Sequence, residues 1–161
     1  MPITFSSSGL INIAIDIERM GVAFYDVMAK STENAATRDV FQYLVDMERE
    51  HIQIFKEMLV ESDKWQILET NAQNHAPYLK ALADSAVFTD DMITSEKAAR
   101  VDSDIEALEL AIDAEKDSIL FYHEMKEIMP QRAQATVNKI IDEEKSHLRQ
   151  LSDLKKKLAA L

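Results

Sequence analysis

Two Glu-x-x-His tetrads are the residues of this chain whose types and spacing could do chemistry: Glu48 with His51, and Glu144 with His147. Side chains three residues apart share one face of a helix, so each tetrad offers a carboxylate and an imidazole to one point in space. The chain has only four histidines, and the tetrads use two of them. Carboxylate and imidazole ligands without sulfur suit iron or manganese.

Each tetrad is preceded by a matching segment that carries one more glutamate. Residues 14–18 (AIDIE) recur as residues 111–115 (AIDAE), and a Phe-Tyr pair and a methionine follow both copies. The repeat predicts a duplicated helical hairpin, in which each copy brings a Glu and then a Glu-x-x-His. The four carboxylates and two imidazoles together form the ligand set of a two-metal site: Glu18, Glu48, His51, Glu115, Glu144 and His147.

Composition narrows the class of protein. The 161 residues suit one domain with a substantial core, and only two glycines and three prolines favour helix. A net charge of −11 argues against nucleic acid and anionic membrane surfaces as partners. The absence of cysteine excludes disulfides, thiolate metal sites and iron–sulfur clusters. We see neither a membrane-spanning run nor a signal peptide, so a cytoplasmic location is the expectation.

The apolar periodicity predicts an all-α protein, a four-helix bundle made of two helical hairpins joined by a long crossover. The crossover, about residues 62–101, is too long for a tight turn. We expect it to run along the bundle, so that the third helix starts at the same end as the first, with a short helix over residues 77–83. Residues 88–100 receive no assignment. The four predicted helices cover about residues 9–30, 35–61, 103–128 and 131–159.

The positions of the four glutamates place them in one layer of such a bundle. Glu18 and Glu48 are equidistant from Glu33 in the first turn, and Glu115 and Glu144 are equidistant from the second turn. Each lies about 22 Å from its turn at a helical rise of about 1.5 Å per residue. The carboxylates therefore lie at matching heights.

The neighbours of these glutamates predict that they are buried. Mostly apolar residues flank each of them at the i±3 and i±4 positions, and no Lys or Arg lies on the same stripes. Four buried carboxylates would repel one another, and two divalent cations would balance their charge. The alternative is a metal-free bundle with protonated, hydrogen-bonded carboxylates, which leaves the paired spacing unexplained. Zinc usually takes fewer ligands than are offered here.

With these motifs the chain resembles the ferritin-like diiron-carboxylate superfamily, and most closely the diiron domain of rubrerythrins. The resemblance covers about residues 9–30, 35–61 and 103–160. It implies two iron ions, with manganese as the other candidate. It also implies the ligand roles: terminal for Glu18 and Glu115, bridging for Glu48 and Glu144, and one metal each for His51 and His147.

Two departures from the rubrerythrin pattern bear on activity. Rubrerythrins usually carry a further glutamate one turn after the third-helix ligand, where this chain has Ser118. They also usually append a four-cysteine rubredoxin domain, so here the electrons are expected from a separate donor protein. Gly21 and Ser118 could leave room for dioxygen or hydrogen peroxide, or could simply ease helix packing.

Two tyrosines are further candidates for the site. Tyr25 and Tyr122 each follow a ligand glutamate by seven residues, which places them on nearly the same helix face. Either could hydrogen-bond a ligand carboxylate or carry an oxidising equivalent. Core packing is the interpretation favoured by the sequence.

Other polar and aromatic residues are expected outside the site. Asp46 and Asp142 could orient an imidazole, but a solvated face is favoured. His75 and His123 lack carboxylates at helical spacing and are predicted at the surface. Trp65 is expected to anchor the crossover against the bundle.

The function that follows from the resemblance is reduction of hydrogen peroxide or dioxygen by a non-haem diiron site. Iron oxidation and handling at the same site is the alternative, and a metal-binding bundle without catalysis is the third class. A homodimer is allowed by analogy with relatives.

Overall fold

The computed structural model describes residues 6–65, 69–84 and 103–161, and within these ranges the chain is helical and contains no strand. The fold is all-α and ferritin-like, as predicted. Its five described helices are α1 (Ser7–Ser31), α2 (Ala35–Ser62), α3 (Glu69–Asp84), α4 (Asp104–Glu127) and α5 (Gln131–Ala159).

Side-chain caps explain where three of the long helices begin. Ser6, Asn34 and Ser103 each accept a hydrogen bond from the backbone N–H three residues later, at 3.0, 2.9 and 3.1 Å. These bonds satisfy donors that a helix start leaves free. Pro130 occupies the N-cap position of α5 without a side-chain bond.

Two apolar layers show how the helices run. One layer joins the start of α1, the end of α2, the end of α4 and the start of α5. The other joins the opposite ends of the same helices. Helix α1 therefore runs antiparallel to α2 and α4, and α5 runs antiparallel to α4. The level of the bundle between these two clusters holds the four glutamates singled out in the sequence.

The direction of α4 corrects one expectation. The third long helix was expected to start at the same end as α1, but it starts at the end where α1 finishes. The physical reason is that α2 already returns the chain to the end where α1 starts. A helix beginning there needs only a short turn, whereas reaching the far end requires a crossover along the bundle.

Helix α3 and Trp65 of the crossover contribute side chains to the core. Helix α3 is longer than the predicted segment 77–83, contains Pro77, and packs against α4. Leu79 is fully buried, and Trp65 packs partly buried against the same layer, as expected. Residues 88–100, left unassigned by the sequence, lie outside the described residues. Within the described ranges, no helix combines the length and apolar character that crossing a membrane requires.

Candidate metal centre

Six polar side chains meet in the dry layer between the two apolar clusters. Each of them is 3 % exposed or less. Helices α1 and α4 bring one glutamate each, while α2 and α5 bring a Glu and a His one turn apart. The six are those singled out in the sequence: Glu18, Glu48, His51, Glu115, Glu144 and His147.

The six residues form two overlapping groups of potential metal ligands. Glu18 and His51 complete one group, and Glu115 and His147 complete the other. Glu48 and Glu144 belong to both groups. In each group the candidate ligand atoms lie within 4.8 Å of one another. The donor set, with two shared carboxylates, therefore fits metal binding.

Both imidazoles turn the same nitrogen toward the carboxylates. His51 Nδ1 lies 3.2 Å from Glu48 Oε2 and 3.1 Å from Glu144 Oε1. His147 Nδ1 lies 3.0 Å from Glu144 Oε2 and 3.6 Å from Glu48 Oε1. The two rings are stacked with centroids 5.8 Å apart. Nδ1 is therefore the nitrogen that would bind a cation.

The two tyrosines bond to the glutamates of the opposite half. Tyr25 Oη on α1 donates to Glu115 Oε1 on α4 at 2.5 Å. Tyr122 Oη on α4 donates to Glu18 Oε1 on α1. Both rings also belong to the apolar layers, so the favoured interpretation of core packing alone was incomplete.

Burial and mutual repulsion disturb the ionisation of the carboxylates. Burial, with the nearby Glu48 carboxylate, raises the pKa of Glu18 from 4.5 to about 8. Burial, with Glu144 and Glu48, also raises the pKa of Glu115 well above its ordinary value. Burial opposes ionisation of Glu48 too, but hydrogen bonds from Glu18 and both histidines outweigh it and lower its pKa.

The histidines shift in the direction that supplies positive charge. Burial opposes their protonation, but hydrogen bonds to the surrounding carboxylates are stronger. They raise the pKa of His147 from 6.5 to about 9, through Glu144 and Glu48. The pKa of His51 is raised further, through Glu144, Glu18 and Glu48. Without cations the layer therefore retains protons, which metal ions would displace.

These shifts predict how the stability of the metal-free protein depends on pH. Glu18 and His147 hold their protons to higher pH when folded than when unfolded, so the folded chain binds more protons between about pH 4.5 and 9. The free energy of unfolding must then fall as pH rises through this window. Thermal unfolding of chelator-treated protein should show a lower Tm at pH 9 than at pH 6. Glu18→Gln should flatten the slope, and a rising Tm would contradict the assignment.

The sequence pattern did not identify one residue that contacts the site. Glu143, which directly precedes Glu144, places Oε2 2.8 Å from His51 Nε2. Asp46 and Asp142 are exposed, as the favoured interpretation had it. Spacing along one helix could not reveal Glu143, because it reaches its imidazole across the gap from α5 to α2.

The other two histidines lie outside the layer. His123 is exposed, as expected. His75 on α3 is partly buried and hydrogen-bonds Glu124 of α4, so it is less exposed than the predicted surface position. Its partner comes from another helix, which helical spacing does not report.

A small cavity adjoins the carboxylates. It is a cleft with about 200 Å³ of space between atoms, a figure that includes open solvent, and it has room for about one water-sized molecule. A Cβ added to Gly21 would lie 3.6 Å from Glu48 Cγ, so the missing side chain leaves space directly beside that carboxylate. The lining residues are Ile17, Glu18, Gly21, Tyr25, Glu48, Ala114, Glu115 and Ser118.

Comparison with known proteins adds one finding. The family model described as Rubrerythrin matches residues 10–155, which include all six residues of the two ligand groups. No curated protein and no solved structure matches the chain.

Proposed function

Because the chain belongs to the rubrerythrin family, we propose that it is a non-haem diiron oxidoreductase. In this proposal it reduces hydrogen peroxide or dioxygen with electrons from a separate donor protein. The observation that supports it best is the pair of buried Glu/His groups that share two carboxylates. Two bound Fe(II) ions would supply the two electrons that, with two protons, reduce one hydrogen peroxide to two waters.

The proposed ligand roles follow from which group each residue joins. Glu48 and Glu144 belong to both groups and would bridge the two ions. Glu18 and Glu115 each belong to one group and would be terminal ligands, as would His51 and His147 through Nδ1. Two divalent cations would bring +4 against four carboxylates, which removes the repulsion that helps to raise the pKa values of Glu18 and Glu115. Manganese remains the other candidate metal.

The cavity supports a small oxidant rather than an organic substrate. Its lining includes three of the carboxylates, and its free space takes about one water-sized molecule, which is too little for an organic substrate. Gly21 and Ser118 keep it free of long side chains on α1 and α4. Surrounding apolar layers exclude bulk water from the rest of the site.

The tyrosines would hold protons next to Glu18 and Glu115, the two terminal glutamates that line this space. Burial and the neighbouring Glu115 raise the pKa of Tyr25 well above 10, so its hydroxyl stays a hydrogen-bond donor at neutral pH. Burial and Glu18 do the same for Tyr122. Each hydroxyl therefore fixes one oxygen of a terminal carboxylate and leaves the other oxygen for a cation.

Stopped-flow oxidation of the Fe(II)-loaded, anaerobic protein tests the proposal. We expect oxidation of two irons per chain, with hydrogen peroxide reacting faster than dioxygen. Turnover of many irons per chain into large particles, seen by light scattering, would indicate iron storage instead. No reaction with either oxidant would leave a metal-binding bundle without catalysis and contradict the proposal.

A Gly21→Ala variant makes the test specific to the cavity. The new methyl group sits at ordinary contact distance from Glu48, so the fold should keep its metals. Alanine in place of a helical glycine should add about 0.5–1 kcal/mol of stability. Oxidation should nevertheless slow by about tenfold, because small displacements at a reacting centre cost that much or more. An unchanged rate at full metal content would exclude this cavity as the oxidant's place.

A further inference from the structure

The two halves of the metal centre are related by an internal twofold repeat of contacts. Tyr25 and Tyr122 make reciprocal bonds to the terminal glutamates. Each histidine also contacts the glutamate one turn before it on its own helix, at 3.2 Å in α2 and 3.0 Å in α5. On the inner side, facing the carboxylates, the two halves therefore repeat the same set of contacts, although the distance from Nδ1 to the shared glutamate of the other half is 3.1 Å for His51 and 3.6 Å for His147.

The two halves differ clearly on the outer side of the imidazoles, where the Nε2 atoms lie. His51 Nε2 lies 2.8 Å from Glu143 Oε2, and Glu143 is 29 % exposed with Lys139 Nζ 3.9 Å from its other oxygen. His147 Nε2 is buried and has no hydrogen-bond partner among the described residues. The ring of Tyr43 packs edge-on against His147, with centroids 6.1 Å apart.

The sequence accounts for the difference. Glu143 directly precedes the shared Glu144, and the equivalent residue directly preceding the shared Glu48 is Met47. Both positions are partly buried. A thioether is only a weak acceptor and carries no charge, so Met47 cannot replace the carboxylate that Glu143 offers.

An outer carboxylate changes how well an imidazole binds a metal ion. When Nε2–H donates to Glu143, the proton is fixed on Nε2 and the Nδ1 lone pair is directed at the carboxylate layer. The negative charge also makes Nδ1 a stronger base. His147 has neither advantage, and its buried Nε2 has no partner whether it carries the proton or the lone pair, which costs free energy in either tautomer.

We propose that the two metal positions are inequivalent and fill in order, with Glu143 as the positioning residue that decides it. The position of His51, Glu18 and the shared carboxylates binds the first divalent ion. The position of His147 and Glu115 binds the second, more weakly by about 10–100-fold, the usual effect of an outer-shell partner. This inference rests on the metal-binding part of the proposed function and needs no oxidant.

Titration of the metal-free protein with Mn²⁺, followed by calorimetry and by electron paramagnetic resonance, tests the order. We expect two resolved steps, with isolated Mn²⁺ signals at one equivalent and coupled pairs only near two. In crystals grown with one equivalent, the anomalous peak beside His51 should exceed the peak beside His147 by about three- to tenfold, the occupancy ratio that a difference in affinity of about 10–100-fold gives.

Four variants identify the cause. Glu143→Met should weaken the first step by about 10–100-fold and bring the two steps together, while Glu143→Gln, whose amide oxygen still accepts, should retain part of the difference. Met47→Glu should strengthen the second step. Asp142→Asn removes an exposed charge from the same turn of α5 and should leave both steps unchanged.

The outcomes separate this inference from the proposed function. Equal peaks at one equivalent, or a Glu143→Met titration that matches the unmodified protein, would overturn the ordered filling. Ordered binding of Mn²⁺ together with an iron form that reacts with neither oxidant would overturn only the oxidoreductase proposal. Absence of binding of both Mn²⁺ and Fe²⁺ would overturn both. If Glu143→Met does not fold, the peak ratio of the unmodified protein and the Met47→Glu titration still decide.

Discussion

A Glu144→Ala variant should lose both metal ions. Glu144 belongs to both ligand groups, and its two oxygens lie 3.1 Å from His51 Nδ1 and 3.0 Å from His147 Nδ1. Removing it would take the proposed bridging ligand from both positions and leave each ion with fewer ligands. The metal content per chain, measured by mass spectrometry after loading and desalting, should fall from about two to near zero.

Glu115→Ala is the matched control for this loss. Glu115 is as buried as Glu144 and lies in the same layer, but it belongs to only one group. This variant should retain about one ion per chain, at the position of His51. Circular dichroism should show both variants still helical. Two ions retained in Glu144→Ala would contradict the bridging role.

Removal of metal should lower the thermal stability by a large amount. A ligand that binds only the folded chain, at about a thousand times its dissociation constant, contributes about 4 kcal/mol per site. With two sites, and about 2–4 °C per kcal/mol for a domain of this size, the Tm should change by on the order of 15 °C or more. Scanning calorimetry of the Mn²⁺-loaded and chelator-treated protein at pH 8 measures the difference.

A measurement at a second pH and a variant serve as controls for this change in Tm. Protons compete with the cation for Glu18 and for His147, whose pKa values without metal are about 8 and 9, so the shift should be smaller at pH 6. Glu144→Ala should show almost no metal-dependent shift. A change of only a few degrees in the unmodified protein would mean that the layer does not bind the ion tightly.

The parts of the structure that follow from one helix at a time could be predicted. Apolar periodicity gave the long helices, and side chains one turn apart had to share a face, as Glu48 and His51 do. The internal repeat then fixed the height of each glutamate, because equal distances from a turn place residues at one level of a hairpin. These rules need no knowledge of neighbouring helices.

The parts that depend on contacts between helices could not be predicted in this way. Tyr25 finds Glu115 on α4, and Glu143 reaches His51 on α2, at sequence separations that no periodicity encodes. The direction of α4 depends on where α2 ends, so it is a property of the whole chain path. The resemblance to rubrerythrins supplied the expected ligand roles. It did not reveal that the residue before one shared glutamate is Glu143 while the residue before the other is Met47.

The crossed tyrosine hydrogen bonds make each copy of the repeat depend on a side chain of the other copy. Tyr25 of the first copy serves Glu115 of the second, and Tyr122 of the second serves Glu18 of the first. Loss of either tyrosine would therefore remove a hydrogen bond from a glutamate of the other copy, so a substitution in one copy has consequences in both. The Phe-Tyr pair occurs at the equivalent place of both copies, as Phe24-Tyr25 and Phe121-Tyr122, so each copy supplies one donor and one acceptor to the crossed pair of bonds.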